Sequence, residues 1–183
     1  RGLGDVYKRQ GEAEGRQAIA NFNVASYRAR YADLRSAFGN NLKAYYDHYR
    51  INGYAERRVA TGSTELQNPT TVYNGVDYKL VYDYNYYINK YPDIKAAFNG
   101  DENATLRHFV ECGMNEGRQG KASFNVAAYR ANYADLRSAF GRNLKAYYMH
   151  YIGSGYREGR KATGNGVLKN PVTVYNGVDY SLV

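Results

Sequence analysis

A chain of 183 residues holds one domain or several small ones, and no apolar run approaches the ~18 residues that a membrane span requires, so no membrane insertion is expected. Its formal charge of +8 is dispersed, which suits attraction to a polyanion but supplies no basic stripe for nucleic acid. A single cysteine excludes a disulfide framework, and 22 Tyr with 6 Phe and no Trp put tyrosine where leucine would fill an ordinary core.

In chain order, residues 1–10 match nothing else in the chain and read as a non-native leader or adaptor scar, excluded from fold reasoning. Residues 11–21 open with G-E-A-E-G-R, which matches G-M-N-E-G-R at 113–118 and reads as the tail of a truncated preceding unit. Residues 22–58 are the first complete repeat unit, and 59–81 are a hairpin insert. All of 22–81 recurs at 124–183, with about 44 of 60 positions identical. A more diverged unit occupies 82–118. After the short joint 119–123 come the third unit, 124–160, and a second hairpin insert, 161–183, where the array reads as truncated. Self-similarity at fixed offsets marks a repeat architecture whose small units bury their apolar faces on one another.

Within the first unit Tyr27 and Tyr31, then Leu34 and Phe38, are spaced i, i+4, and Leu42, Tyr45, Tyr46 and Tyr49 follow i, i+3, i+4, i+7. That periodicity predicts three short helices. Asn23 and Asn125 suit N-caps, and Pro92 suits the first turn of a second helix. Gly39, Gly100 and Gly141 are expected to break the second helix, and Gly53, Gly113 and Gly155 to end the third in a left-handed conformation. Asn74-Gly75 and Asn176-Gly177, each between T-V-Y and V-D-Y, predict type I′ hairpins. The expected fold class is mainly α: a tandem repeat array of small three-helix units with short β-hairpin inserts.

The recurring ionisable residues are Asp33, Asp93 and Asp135; His48, His108 and His150; Glu56, Glu116 and Glu158; and Arg58, Arg118 and Arg160. As acids and bases they would demand three equivalent active sites on units too small to enclose a substrate, so no catalytic residue is assigned and the chain is read as non-enzymatic. Glu56 and Arg58 are expected to fix the exit turn as an ion pair, with Asp33 in the first turn of a helix. N-G-D-E-N-A-T at 99–105 lacks the alternating ligands of a calcium loop, so no metal and no cofactor are expected. Cys112, among small apolar neighbours, reads as packed filler.

Saccharide binding asks for exposed aromatic faces with polar neighbours. The tyrosines outside the expected core stripes are Tyr54 and Tyr156 in the exit turns, Tyr73, Tyr78, Tyr175 and Tyr180 in the inserts, and Tyr82, Tyr84 and Tyr86 leading into the middle unit. Of these, Tyr54, Tyr156, Tyr73, Tyr78, Tyr175, Tyr180, Tyr84 and Tyr86 are taken as candidate ligand-binding residues, the alternative being that such rings glue adjacent units together. Identical weak sites in tandem gain avidity without any one being strong.

Y-Y-I-N-K-Y-P-D-I at 86–94, the pairs His48-Tyr49, His108-Phe109 and His150-Tyr151, and E-G-R at 116–118 and 158–160 resemble a known pattern. It is the F-D-x-x-Y-Y…N-P-D-V…H-Y…G-x-x-E-G-R tandem repeat of secreted bacterial proteins, as appended to lysozyme-type muramidases and other surface proteins. The resemblance covers 11–183, although the outer units carry Y-A-D and the first closes with E-R-R. It implies an extracellular, cell-wall-associated module, attached in cis to other domains, that anchors or targets a larger protein. The implied partner is wall glycan or a teichoic-acid-like polymer. The alternative is a protein-interaction array binding a surface protein, or an architectural spacer.

Overall fold

The computed structural model describes residues 10–12, 14–17, 19–98, 100–179 and 181, so all of the leader except Gln10 lies outside the described residues. The protein is mainly helical, with two small antiparallel hairpins. It divides into two compact units: the described residues of Arg1–Thr70 with Ala96–Glu102, and those of Thr71–Lys95 with Asn103–Val183.

In the first compact unit, α1 (Val24–Arg30), α2 (Ala32–Phe38) and α3 (Leu42–His48) are seven residues each. Asn23 caps α1 by accepting from the Ser26 N–H at 3.0 Å. Helices this short are marginal alone, and what holds them is an aromatic core. Phe22, Val24, Tyr27, Leu34, Tyr45 and Ala60 are buried, with Tyr31, Phe38, Leu42, Tyr46 and Tyr49 against them. Tyr27 sits at its centre, 5.6 Å from the Phe22 ring centroid and edge-on to Tyr31 and Tyr49. The Asn23 N–H donates to the Ala60 carbonyl at 2.7 Å, closing the triplet into a ring.

The second compact unit contains a hairpin of β1 (Val72–Tyr73) and β2 (Val76–Asp77), in which Val72 faces Asp77. Asn74 and Gly75 both have positive φ, as a type I′ turn requires. Helix α4 (Tyr84–Lys90) follows; α5 (Pro92–Phe98) begins in this unit at Pro92 with its last turn counted in the first, and α6 (Glu102–His108) belongs here from Asn103 onward, its first residue Glu102 being counted in the first unit. Then come α7 (Val126–Asn132), α8 (Ala134–Phe140) and α9 (Leu144–His150), capped at Asn125 as α1 is at Asn23. A second hairpin pairs β3 (Val174–Tyr175) with β4 (Val178–Asp179). The Asp83 N–H donates to the Gly120 carbonyl at 2.9 Å and the Asn125 N–H to the Ala162 carbonyl at 2.8 Å, the same closure as at Asn23.

Tyrosine stands where leucine would in these cores, and six of the fully buried rings, Tyr27, Tyr45, Tyr87, Tyr129, Tyr147 and Tyr148, place their hydroxyls on polar partners. Tyr27 Oη lies 2.9 Å from His48 Nδ1, Tyr87 Oη 3.3 Å from His108 Nδ1, and Tyr129 Oη 2.9 Å from His150 Nδ1. Tyr45 and Tyr147 donate to the carbonyls of Gly39 and Gly141 at 2.8 and 2.9 Å. Burial pushes the phenols of Tyr27, Tyr87, Tyr129 and Tyr148 well above their ordinary value of 10.0. A phenol raised on folding contributes stability that is complete below pH 10 and is lost as pH climbs toward the folded value. Alkaline titration should therefore show phenolate absorbance at 295 nm for these rings rising together with loss of the helical circular-dichroism signal.

Gly53, Gly113 and Gly155 do not adopt the left-handed conformation expected of them. They close π-helical turns, Tyr49–Gly53, Phe109–Gly113 and Tyr151–Gly155, and their glycine identity is steric. A Cβ there would lie 2.2 Å from Tyr27 Oη, 2.7 Å from Tyr87 Oη and 2.1 Å from Tyr129 Oη. The left-handed residue comes four positions later, at Arg57 (φ 55), Gly117 (φ 73) and Gly159 (φ 67). A non-glycine residue in that region costs roughly 1–2 kcal/mol, so Arg57→Gly is expected to stabilise the protein by about 1 kcal/mol, read by denaturant unfolding. Cys112 is exposed on its π turn and is not packed filler.

Candidate functional site

Each exit turn is held by one guanidinium. Arg58 pairs with Asp33 at 2.9 Å and Glu56 at 2.5 Å, and its Cζ lies over the Tyr31 ring, 4.8 Å from the centroid. Arg118 does the same with Asp93, Glu116 and Tyr91, and Arg160 with Asp135, Glu158 and Tyr133. The tyrosine hydroxyl then accepts the next backbone N–H: Val59 to Tyr31 at 2.8 Å, Gln119 to Tyr91 at 2.8 Å and Lys161 to Tyr133 at 2.6 Å. The expected Glu56–Arg58 pair is thus one side of a four-residue clasp of Arg58, Glu56, Asp33 and Tyr31.

The clasp occupies the recurring carboxylates. Hydrogen bonding from Arg118 and from Arg160 holds the carboxyls of Asp93 and Asp135 below their ordinary value. At Asp33 burial pushes upward, but the hydrogen bond and charge of Arg58 outweigh it. Stability from these pairs is present above the ordinary carboxylate value and is lost as pH falls through the lowered ones; their solvent exposure keeps it small. Among the described residues no three or more His, Cys, Asp and Glu side chains are grouped to hold a metal ion.

The exit turns differ in what covers them. After α6, the turn carrying Met114 is sealed by the next triplet. Tyr148 donates to the Arg118 carbonyl at 2.9 Å, the Phe109 and Tyr148 rings meet edge to face at 5.9 Å, and Met114 is 0% exposed. The short segment before α1 is seated likewise, with Tyr46 donating to the Arg16 carbonyl at 2.7 Å and Gly15 against Leu42 and Val24. At the turns after α3 and α9 the residues aligned with Met114 are Tyr54, 71% exposed, and Tyr156, 56% exposed. Tyr54 stands edge-on to Tyr49 at 6.3 Å, and Tyr156 to Tyr151 at 5.9 Å. Tyr49, Tyr54, Ala55, Arg57, Arg58 and Val59 line an open cleft of about 500 Å³.

The other candidate tyrosines fare differently. Tyr78 and Tyr84 are buried and present no face to a ligand. Tyr84 occupies the inward position of Val24 on the first helix of its triplet, and Tyr82, also buried, occupies that of Phe22. Tyr73 is half-buried and donates to Glu111 at 2.5 Å. Tyr86 is half-buried with Lys90 Nζ 5.5 Å from its ring centroid. Tyr175 lies on β3, and Tyr180 lies outside the described residues. Arg57 and Val59 were not among the candidate ligand-binding residues, yet both line the cleft. The signal for Arg57 was its place where Gly117 and Gly159 stand in the other turns, and the signal for the open turns themselves was the residue after the turn glycine: Tyr where an insert follows, Met where a short joint leads straight into another triplet.

No protein-family model, curated protein or solved structure matches this chain. Among the described residues no helix is long and apolar enough to cross a membrane.

Proposed function

We propose that the chain is a tandem repeat array that serves as a non-catalytic, extracellular module, anchoring or targeting a larger protein to the bacterial cell wall through its open exit turns. The observation that carries this reading is the exchange of a fully buried Met114 for exposed Tyr54 and Tyr156 at the same place in the turn. An exposed phenol ring offers a flat face for a sugar ring. Arg57 beside Tyr54 makes no ion pair among the described residues and adds a cation for an anionic polymer. Two such sites in one chain raise overall affinity through effective concentration.

Co-sedimentation of the chain with purified Gram-positive sacculi, with and without teichoic acid and across a salt series, tests the reading. Binding that persists without the polymer and at high salt assigns the ligand as glycan; binding lost with either assigns it to charge. A second reading, a spacer or protein-interaction array, is favoured by the number of tyrosines spent inside the cores, Tyr27, Tyr45, Tyr87, Tyr129, Tyr147 and Tyr148 among them. Absence of binding to either sacculus preparation leaves that reading standing.

A further inference from the structure

One surface of the first triplet receives a loop and helix start from later in the chain, and its counterpart on the third triplet is built in the same way. In the first, Arg35 is buried with its Nη1 donating to the carbonyls of Arg28 and Ala29 at 3.0 and 2.8 Å. Its Nη2 donates to those of Gln67 and Asn68 at 2.7 and 3.3 Å. Its Nε is left to meet the incoming Glu102 carboxylate at 2.8 Å. The other oxygen of Glu102 accepts from the Thr70 N–H at 2.7 Å, and Arg28 donates to the Gly100 carbonyl at 2.7 Å. One carbonyl and one carboxylate, two residues apart at the head of a helix, are thus read by two arginines and one amide.

Arg137 on α8 repeats the fork. Its Nη1 donates to the carbonyls of Arg130 and Ala131 at 3.0 and 2.8 Å, and its Nη2 to those of Lys169 and Asn170 at 2.5 and 2.8 Å. The insert behind it is set the same way: the Lys169 N–H donates to the Ala131 carbonyl at 2.9 Å, as the Gln67 N–H does to Ala29 at 2.8 Å. Asn170 and Asn68 share a left-handed backbone, φ 47 and 49. Among the described residues no carboxylate meets Arg137. Leu168 is 49% exposed where its counterpart Leu66 is 7%, and Val172, in the place of Thr70, is 90% exposed.

We propose that the face formed by Arg130, Arg137, Leu168 and Val172 docks a helical triplet of the α4–α6 kind, recognised by a glutamate at the start of its third helix and a glycine carbonyl two residues earlier. The occupant is identified by charge and by shape. A guanidinium already held in place by four carbonyls keeps only Nε for an acceptor, and Leu168 and Val172 beside it stand exposed where Leu66 is buried and the Thr70 N–H meets Glu102 on the first triplet. This proposal stands independently of what the exit turns bind.

The test is a chain lengthened by a second copy of residues 82–120 placed directly after Val183, read by amide exchange of residues 167–172 and by helical circular dichroism. A charge-assisted hydrogen bond predicts exchange slowed by about tenfold or more with a gain of helix signal. That slowing should disappear with the equivalent of Glu102→Gln in the added copy and with Arg137→Met in the chain. Unchanged exchange, or an added copy that stays unfolded, overturns the proposal. So does slowing that survives both substitutions, because the named carboxylate then does not make the contact.

Discussion

Gly155→Ala is expected to lower the melting temperature by roughly 6–12 °C. The Cβ it adds would stand 2.1 Å from Tyr129 Oη and 3.2 Å from Tyr129 Cζ. The Tyr129 ring cannot retreat. It is fully buried, with Phe124 at 5.6 Å, Tyr133 at 5.2 Å and Tyr151 at 5.2 Å between ring centroids. Overpacking of a fixed core costs about 3 kcal/mol at the upper end of its usual range. Tyr129→Phe alone removes the hydrogen bond to His150 and should cost about 1 kcal/mol. Combined with Gly155→Ala it should recover most of the loss, since the hydroxyl is the atom that clashes. A double variant no more stable than Gly155→Ala would show that the glycine is required for another reason. Thermal unfolding of the four proteins closes this cycle.

Arg35→Met should destabilise the protein by about 3–5 kcal/mol, whereas Arg137→Met should cost about 1–2 kcal/mol. The two arginines hold equivalent backbone carbonyls, but only Arg35 neutralises a carboxylate that is itself mostly withdrawn from solvent. Removing it strands Glu102 with one backbone amide, from Thr70, still donating to it. Adding Glu102→Gln to Arg35→Met should return part of the loss, because a neutral amide tolerates that position better than an unpaired charge. Urea unfolding of the three variants measures the difference; equal costs at Arg35 and Arg137 would contradict it.

The helices, both hairpin turns and the Glu56–Arg58 pair were legible in the sequence, since each rests on local spacing: i, i+4 apolar pairs, Asn-Gly between β-favouring residues, and two opposite charges two positions apart. The direction of the insert and entry tyrosines was not. Helical spacing tells which residues share a stripe but not which neighbour covers it. Tyr82 and Tyr84 could have been placed by alignment with Phe22 and Val24, but Tyr78 is buried by contacts no local pattern encodes. The π turns were also hidden, because Gly53 is constrained by a hydroxyl from Tyr27, distant in sequence and brought there by the fold. The exit-turn site was half legible. Tyr54 and Tyr156 fell outside the core stripes, while their contrast with Met114 acquires meaning only once the Tyr148 and Arg118 junction is seen to cover one turn and not the others.

The open exit turns are tested most directly by sacculus co-sedimentation of Tyr54→Ala/Tyr156→Ala beside the parent chain. Both tyrosines are exposed, so the double variant should melt within about 0.5 kcal/mol of the parent and any loss of binding reports on the surface. The expected result is binding by the parent, a clear reduction with either single substitution and near-complete loss with both, as two linked sites require. Parent-like binding by the folded double variant would contradict the assignment of the wall contact to these two tyrosines.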